Sequence, residues 1–467
     1  MSRGNERRGR RGTVLVVPHY VNALRYYDRL YEPLMSRGLE LAYAFYSTPQ
    51  FVDAMKAYCL ERGRRHVVLE DARLRRSYQY LEPYYRYRLL RQVRATFDAF
   101  RPSVLVQTND MTFFNDAFVK VAKERNVPSV AYQWAVTVPE SLLRYVKRLN
   151  EQARTKVPDG FKPTASPLRV AWRSWVRVAL RVLHAPVELA LGVRSNHVQS
   201  IGQGDSDYFV AINEYTKRLL VRQGVSAKKI LVGGLFHHDD AVASRDAPVG
   251  DLRHKYGLPT DRVVVTCFNQ PFYAKDLRLL SFEEQRAILS RLVEEVFEFY
   301  SSVGKEATFV LKLHPAEDPS AYEGFADLPG VVVLWEANNV ELARVSQVCV
   351  GWHSTALQTV LLLDVPLISL DVDPRLPFVS AASRSMGVRS NVKSWEAFRE
   401  TLRRLDSNGY RPLERPLPGR LIADGRCQAY AVELIDALSR GLPPPPRGPR
   451  PRPHWGASPN SWRKSRT

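Results

Sequence analysis

The stretch "GWHSTALQTVLLLDVPLISL", Gly351 to Leu370, reads as three elements in twenty residues. An apolar strand arriving from "SQVCV" ends at Gly351, Ser354 and Thr355 open a helix, and "VPLISL" returns to a sheet. A strand, a helix and a second strand in succession form a βαβ unit, and βαβ units imply a parallel sheet. The start of that helix presents unpaired N–H groups and a partial positive charge, a ready site for phosphate. Ser354 and Thr355 could cap the helix, bind a phosphate, or do both.

The same alternation runs outward in both directions. "TVLVVPHY", "LELAYAFYS", "PSVLVQTND" and "VPSVAYQW" read as strands, with helices over Asn22–Gly38, Tyr78–Phe100 and Phe113–Arg125 between them. After a break, "DYFVAIN", "KKILVGG", "RVVVTCFNQ", "ATFVLKLHP" and "GVVVLWE" continue as strands, with helices over Glu214–Gly224, Phe282–Ser302 and Cys427–Ser439. The predicted fold class is therefore α/β, with two Rossmann-like doubly wound domains facing a cleft. The expected organisation is a disordered basic arm (1–12), an N-terminal acceptor domain (13–140) and an interdomain segment (141–204). A C-terminal nucleotide-binding domain (205–440) and a disordered Pro/Arg-rich tail (441–467) follow. Open α/β sheets bind ligands at the carboxyl ends of their strands, so function is to be sought there.

Composition narrows the class. A hydrophobic fraction of 45% and a charged fraction of 25% are ordinary for a globular protein. Four scattered cysteines form no CxxC pair, which fits a reducing compartment. The net charge of +20 is partly terminal. Residues 1–12 carry five arginines and one glutamate (+4), and residues 442–467 carry six basic residues and no acid (+6). The folded region keeps the other half, which disfavours nucleic acid as a partner. No window approaches the ~20 apolar residues of a membrane span. The basic start runs into a strand-like "TVLVVP" and not a long apolar segment. The expected location is cytoplasmic, with the inner face of the membrane as a possible station.

Polar residues end nearly every strand. The first half offers His19-Tyr20, Gln107 to Asp110 and Gln133-Trp134; the second offers Gly233-Gly234, Asn269-Gln270, His314-Pro315, Glu336 and His353 to Thr355. Any one of these serves as an ordinary turn or cap residue, but the set reads as a polar site. Gly234, Asn269, His314, Pro315, Glu336, His353, Ser354 and Thr355 are the candidate nucleotide-binding residues.

"LKLHP" with the downstream "GWHSTALQTVLLLDVPLISL", preceded by "DYFVAINEYTKRLLVRQGVSAKKILVGGLFHHDD", resembles the C-terminal half of GT-B glycosyltransferases. More narrowly it resembles the bacterial surface-polysaccharide group of sialyltransferases, Kdo transferases and CDP-glycerol-type polymerases. The resemblance covers about residues 205–440, and the N-terminal half agrees in layout. It implies that His314 contacts the donor nucleotide or its phosphate and that Ser354 and Thr355 bind phosphate. The block also resembles the nucleotide-binding segment of UDP-GlcNAc 2-epimerases. Those carry glycines and a carboxylate pair where this chain has Ser354-Thr355 and Gln358-Thr359, which tilts the donor towards a cytidine nucleotide. No cofactor is implied.

Transfer to a hydroxyl requires a general base and stabilisation of the departing phosphate. His314 and the helix start suit the second need. His19 and Asp110, following strands of the first half, are the candidate catalytic bases. "LFHHDD" (Leu235–Asp240) reads as a turn, since consecutive residues cannot readily converge on one ion, and no metal is expected. In "RVAWRSWVRVALRVLH", Arg169, Arg173, Arg177 and Arg181 recur at spacing four opposite a face containing Trp172, Trp175, Val178, Val182 and Leu183. That is the composition of a helix lying on a membrane, or of a core helix with its arginines in water.

The leading expectation is a glycosyltransferase moving a sugar or polyol phosphate from a nucleotide-activated donor to a cell-surface glycan or lipid-linked acceptor. Alternatives are a nucleotide-sugar 2-epimerase, a non-catalytic basic nucleic-acid-binding protein and an inactive GT-B-like scaffold.

Overall fold

The computed structural model of the chain describes residues 12–46, 49–69, 82–108, 110, 112–133, 175, 179, 182–191, 201–273, 280–315, 317–376, 379–389 and 391–447. The chain divides into two compact units. One comprises Met1–Glu140, Arg154–Gly234 and Gln428–Pro446; the other comprises Ser141–Ala153, Leu235–Cys427 and Arg447–Thr467.

The first unit carries a parallel sheet of seven strands: β1 (Gly12–Val17), β2 (Leu39–Phe45), β3 (Arg65–Val68), β4 (Pro102–Gln107), β5 (Ser129–Tyr132), β6 (Tyr208–Ala211) and β7 (Ile230–Val232). Their order is β3-β2-β1-β4-β5-β6-β7. The direction of progression reverses between β1 and β4, so His19, just after β1, stands at a topological switch point. One face of the sheet packs Leu15, Val17, Ala42, Ala44 and Leu105 against Leu89, Val93 and Phe97 of the helix Glu82–Phe100. Phe118, Val121 and Ala122 of the helix Phe113–Glu124 complete that layer. Burying each such large apolar side chain contributes about 1.5–3 kcal/mol.

Two expectations about domain organisation change here. Strands β6 and β7 were expected in the second half but pair within the first sheet, with Val130 opposite Tyr208 and Phe209 opposite Ile230. The last helix, Cys427–Ser439, also returns to the first unit. Asp436 accepts from Arg37 at 3.1 Å, and Gln428 Nε2 donates to the Arg29 carbonyl at 2.9 Å. The expected helix over Asn22–Gly38 is two helices, Val21–Asp28 and Tyr31–Met35, broken at Arg29-Leu30. Gly38 does end the second, at φ +78°.

The second unit carries a parallel sheet of five strands: β8 (Val263–Phe268), β9 (Ala307–Lys312), β10 (Val331–Leu334), β11 (Val348–Gly351) and β12 (Leu367–Ser369). The order is β10-β9-β8-β11-β12, reversing between β8 and β11. Side chains alternate between faces along each strand. Val265, Cys267, Phe309, Leu311 and Val350 meet Leu289, Leu292 and Val296 of the helix Phe282–Ser302 on one side. Val264, Phe268, Val310 and Cys349 meet Leu342, Ala343, Val360 and Leu362 on the other. Helices cover both faces, so this sheet is doubly wound, and its strands are accordingly mostly apolar, with Thr266, Thr308, Lys312 and Ser369 the polar exceptions.

Residues 441–447, expected as the start of a disordered tail, are described. The Arg447 guanidinium donates to both oxygens of half-buried Asp424, at 2.8 and 2.9 Å. Residues 448–467 and the basic arm 1–11 lie outside the described residues. Among the described residues no helix is long and apolar enough to cross a membrane.

Candidate functional site

At the carboxyl edge of the second sheet, neighbouring strands deliver Glu336 (after β10), His314 (after β9), Asn269 (after β8) and Trp352-His353-Ser354 (after β11). Asn269 and His353 flank the switch point between β8 and β11, and His314 follows the next strand over. Glu336, His314, Asn269, His353 and Ser354 are all candidates from the sequence, and Asn269 and His314 are joined through a shared partner.

The link between them is Glu317, a residue to which the sequence assigned no role. Its carboxylate is 4% exposed. One oxygen accepts the His314 backbone N–H at 2.6 Å. The other accepts the Asn269 side-chain amide at 2.7 Å and the Tyr322 hydroxyl. Three donors satisfy the buried carboxylate. Burial pushes its pKa up, and those hydrogen bonds with the nearby Lys312 charge oppose the shift.

Asn269 is fixed from the other side as well. Gln285 Nε2 donates to Asn269 Oδ1 at 3.2 Å and to the Gln270 carbonyl at 2.8 Å, and Gln285 Oε1 accepts from the Phe272 N–H. Gln285 is placed by a capping box one turn earlier. Ser281 Oγ accepts the Glu284 N–H at 3.1 Å, while Glu284 accepts the Ser281 N–H at 2.6 Å. A local signal in the sequence thus sets the register of a helix whose fourth residue orients a site amide.

Lys312 is a second residue the sequence reading passed over. It is 6% exposed in an otherwise apolar strand, and its Nζ donates to the carbonyls of Leu313 and Trp335 at 2.7 and 2.9 Å. The ammonium therefore ties the ends of β9 and β10 together. Burial lowers its pKa. Glu336 and Pro315 are exposed at this edge.

The turn after β11 is equally constrained. A side chain at Gly351 would place its Cβ 2.8 Å from Leu357 Cδ2, so only glycine fits without displacement. The Trp352 carbonyl accepts from Ser369 and Ser383. His353 stands half-buried against Phe272, ring centroids 5.5 Å apart. Ser354 Oγ accepts the Ala356 N–H at 3.3 Å, so it caps the helix Thr355–Leu362, and Thr355 is the first helical residue.

His314 and His353 both favour the neutral imidazole. Burial, with the charge of Lys312 adding to it, lowers the His314 pKa; burial and then His314 push His353 down to about 4. Each neutral imidazole offers one ring N–H as a donor.

In the first unit, His19 is half-buried after β1. Asp110, the rival base, is buried and engaged elsewhere. Its two oxygens accept the N–H groups of Gly202 and Gly204 at 2.8 and 2.9 Å, and Lys229 Nζ lies 3.7 Å away. A Cβ at Gly204 would fall 2.3 Å from the Asp110 carbonyl oxygen. This geometry makes Asp110 a latch between the segment after β4 and the loop 201–206. Gly234, expected in the nucleotide domain, ends β7 of the first unit at φ +79°. Its neighbour Gly233 is the close approach, where a Cβ would lie 2.3 Å from Val210 Cγ1.

"HHDD" is not a turn: Phe236–Ser244 is a helix with His238 fully buried. Asp239 Oδ1 accepts the Cys427 N–H at 2.9 Å. Asp239, Asp424 and Cys427 bring potential ligand atoms within 4.8 Å of one another. The Arg447 guanidinium already supplies the compensating cation there. The four arginines Arg169, Arg173, Arg177 and Arg181 lie outside the described residues.

No protein-family model matches the chain. No curated protein matches it by sequence. Solved structures do match. The Neisseria meningitidis UDP-GlcNAc 2-epimerase bound to UDP-GlcNAc aligns over 90% of this chain and 98% of its own, with TM-score 0.51 and 13% identity. The glycotransferase of kitacinnamycin aligns over 93% and 96%, with TM-score 0.52 and 15% identity. The Methanocaldococcus jannaschii UDP-GlcNAc 2-epimerase, in complex with UDP-GlcNAc and UDP, aligns over 91% and 99%, with TM-score 0.50 and 12% identity. The likeness is one of fold. The expected class, α/β with two Rossmann-like units of the GT-B type, is the fold found.

Proposed function

We propose that this chain is a nucleotide-sugar-dependent glycosyltransferase, moving a sugar or polyol phosphate to a glycan or lipid-linked acceptor. The observation that carries the reading is the pair of constrained turns after β9 and β11, at the carboxyl edge of the second sheet. One presents His314 on a Glu317–Asn269 scaffold, and the other presents His353 before a Ser354-capped helix start. Buried groups braced to this degree, at the edge where open α/β sheets bind ligands, suit a nucleotide and its phosphate. His314, Asn269, His353, Ser354 and Thr355 contact the donor in this reading, with Pro315 and Glu336 at the rim. Gly234 and Asp110 take structural roles.

In the transfer step an acceptor hydroxyl oxygen attacks the anomeric carbon and the bond to the nucleotide phosphate breaks. The hydroxyl proton passes to a general base, for which His19 is the candidate, and the electron pair leaves on the phosphate. N–H donors at the helix start and His314 stabilise that developing charge. For polyol phosphate transfer the hydroxyl attacks the phosphorus that carries the polyol, the pyrophosphate P–O bond breaks, and the nucleoside monophosphate leaves with the electron pair.

A second reading, a UDP-GlcNAc 2-epimerase, is favoured by the two epimerase structures holding UDP-GlcNAc, and it puts a uridine donor on equal footing with a cytidine one. Against it stands Gln358, which occupies part of the epimerases' carboxylate pair. It is fully buried, and its Nε2 donates to the Met386 and Arg420 carbonyls at 3.4 and 3.1 Å. Such a side chain is not presented to a ribose.

A thermal-shift panel of CMP, CDP, UMP, UDP, GDP and TDP on wild type and His314→Ala tests the proposal. A nucleotide at 100 times its dissociation constant adds about 2.7 kcal/mol. Stabilisation by one nucleotide, lost in His314→Ala, supports the site; no response to any nucleotide removes it. Isomerisation of UDP-GlcNAc without an acceptor would establish the epimerase instead.

A further inference from the structure

The segment 182–191, in the first unit, presents the wrong side to water. Residues 182–190 are helical. Val182, Leu183 and Leu189 are 70%, 66% and 71% exposed, and Val187 and Leu191 are exposed as well. The two residues that turn inward are polar: His184 and Glu188, spaced four apart. Glu188 lies 3.7 Å from the guanidinium of Arg86, which is itself nearly buried on the helix Glu82–Phe100. An ordinary surface helix buries its apolar stripe and exposes its polar one. Here an ion pair holds the polar side in and leaves the aliphatic side out. Trp175, upstream on the same segment, is 73% exposed. Of the fourteen large hydrophobic side chains exposed among the described residues, six fall between 175 and 191.

Charge decides what covers this face. Residues 141–200 contain eleven Lys and Arg against three Asp and Glu, a net +8 in sixty residues. A second copy docking face to face would set that charge against itself. A protein partner with a neutral or basic surface would gain nothing from that charge. An anionic bilayer surface answers both features, since aliphatic and Trp side chains enter the headgroup boundary while basic residues attract the lipid charge. Among the described residues no helix is long and apolar enough to cross a membrane, and a helix with one apolar face lies in the plane of the surface. We propose that the exposed apolar face of residues 182–191, with Trp175, is a docking surface for an anionic lipid bilayer. The inference stands independently of the nucleotide reading, because it invokes no residue of that site.

The test is co-flotation of the full chain with phosphatidylcholine vesicles, with and without phosphatidylglycerol. Binding is expected to the anionic vesicles and to fall in high salt. Leu183→Glu combined with Leu189→Glu should cut the bound fraction more than about tenfold. Because both side chains are exposed, the thermal melt should not move; Leu183→Ser with Leu189→Ser repeats the test without added charge. No flotation with anionic vesicles overturns the proposal. So does flotation that both double variants leave intact, which would assign binding to charge elsewhere in the chain. Light scattering that shows a wild-type dimer abolished by the same variants would make a second copy the occupant.

Discussion

The Glu317 carboxylate accepts the backbone N–H of His314 at 2.6 Å while also holding the Asn269 amide. One buried carboxylate therefore fixes the ends of β8 and β9 relative to each other. Glu317→Ala would leave three donors without an acceptor in a buried setting, each costing about 1–3 kcal/mol less any relaxation. We expect a loss of about 2–4 kcal/mol in denaturant unfolding. Glu317→Gln keeps the shape but swaps an acceptor oxygen for a donor amide, so it should fold and bind nucleotide more weakly. A Glu317→Gln protein with wild-type nucleotide affinity would show that the scaffold does not position the ligand.

Ser354 separates capping from ligand binding. Ser354→Ala removes the acceptor for the Ala356 N–H and should cost about 1 kcal/mol. Asp is an equally good N-cap, so Ser354→Asp should keep stability. Its negative charge, however, would sit where the proposed phosphate lies. The expected result is a stable Ser354→Asp protein that no nucleotide stabilises. Equal nucleotide response in wild type and Ser354→Asp would leave Ser354 with capping alone.

Much of this arrangement was legible because it is written locally. Apolar strands alternating with amphipathic helices follow from side-chain periodicity, and the helix Phe282–Ser302 announces itself through Ser281 and Glu284. What escaped depends on pairing over distance. "DYFVAIN" reads the same whether it joins one sheet or the other; only the pairing of Val130 with Tyr208, 78 positions apart, decides it. The strand Arg65–Val68 is four residues long with its first residue exposed, too short to show an alternation. The helix Pro49–Glu61 went unread beside it. Glu317 was visible as an acid beside His314-Pro315, but its partner Asn269 lies 48 residues earlier. Asp110 follows a strand as a candidate catalytic base, and only Gly202 and Gly204, brought in by the fold, show both of its oxygens engaged.

Acid should weaken the folded protein through its histidines. The His353 pKa falls from 6.5 to about 4 on folding, so between those values the unfolded chain binds a proton that the folded chain does not. Stability then rises with pH and is lost as pH falls through that window. His314 and fully buried His238 are shifted in the same direction. Melting temperature should therefore drop from about pH 7 to about pH 5, and His353→Asn should flatten part of the slope. A phosphate bound beside His353 would favour the imidazolium, so the stabilising nucleotide should also reduce the slope. A slope that His353→Asn leaves unchanged would place the titration in other groups.

His19 and Asp110 should fail in different ways. His19, half-buried at the β1/β4 switch point, is the proposed general base, and removing such a group lowers turnover by about 10²–10⁴-fold. His19→Ala should therefore lose kcat while keeping the melting temperature and the nucleotide response. Asp110→Asn should do the reverse. The amide cannot accept from both glycine N–H groups, so about 1–3 kcal/mol of stability is lost, with near-normal turnover per folded molecule. Near-normal turnover in His19→Ala would remove it from the role. A folded Asp110→Asn protein without activity would return the base to Asp110, and the loop 201–206 would then have to open for it to act.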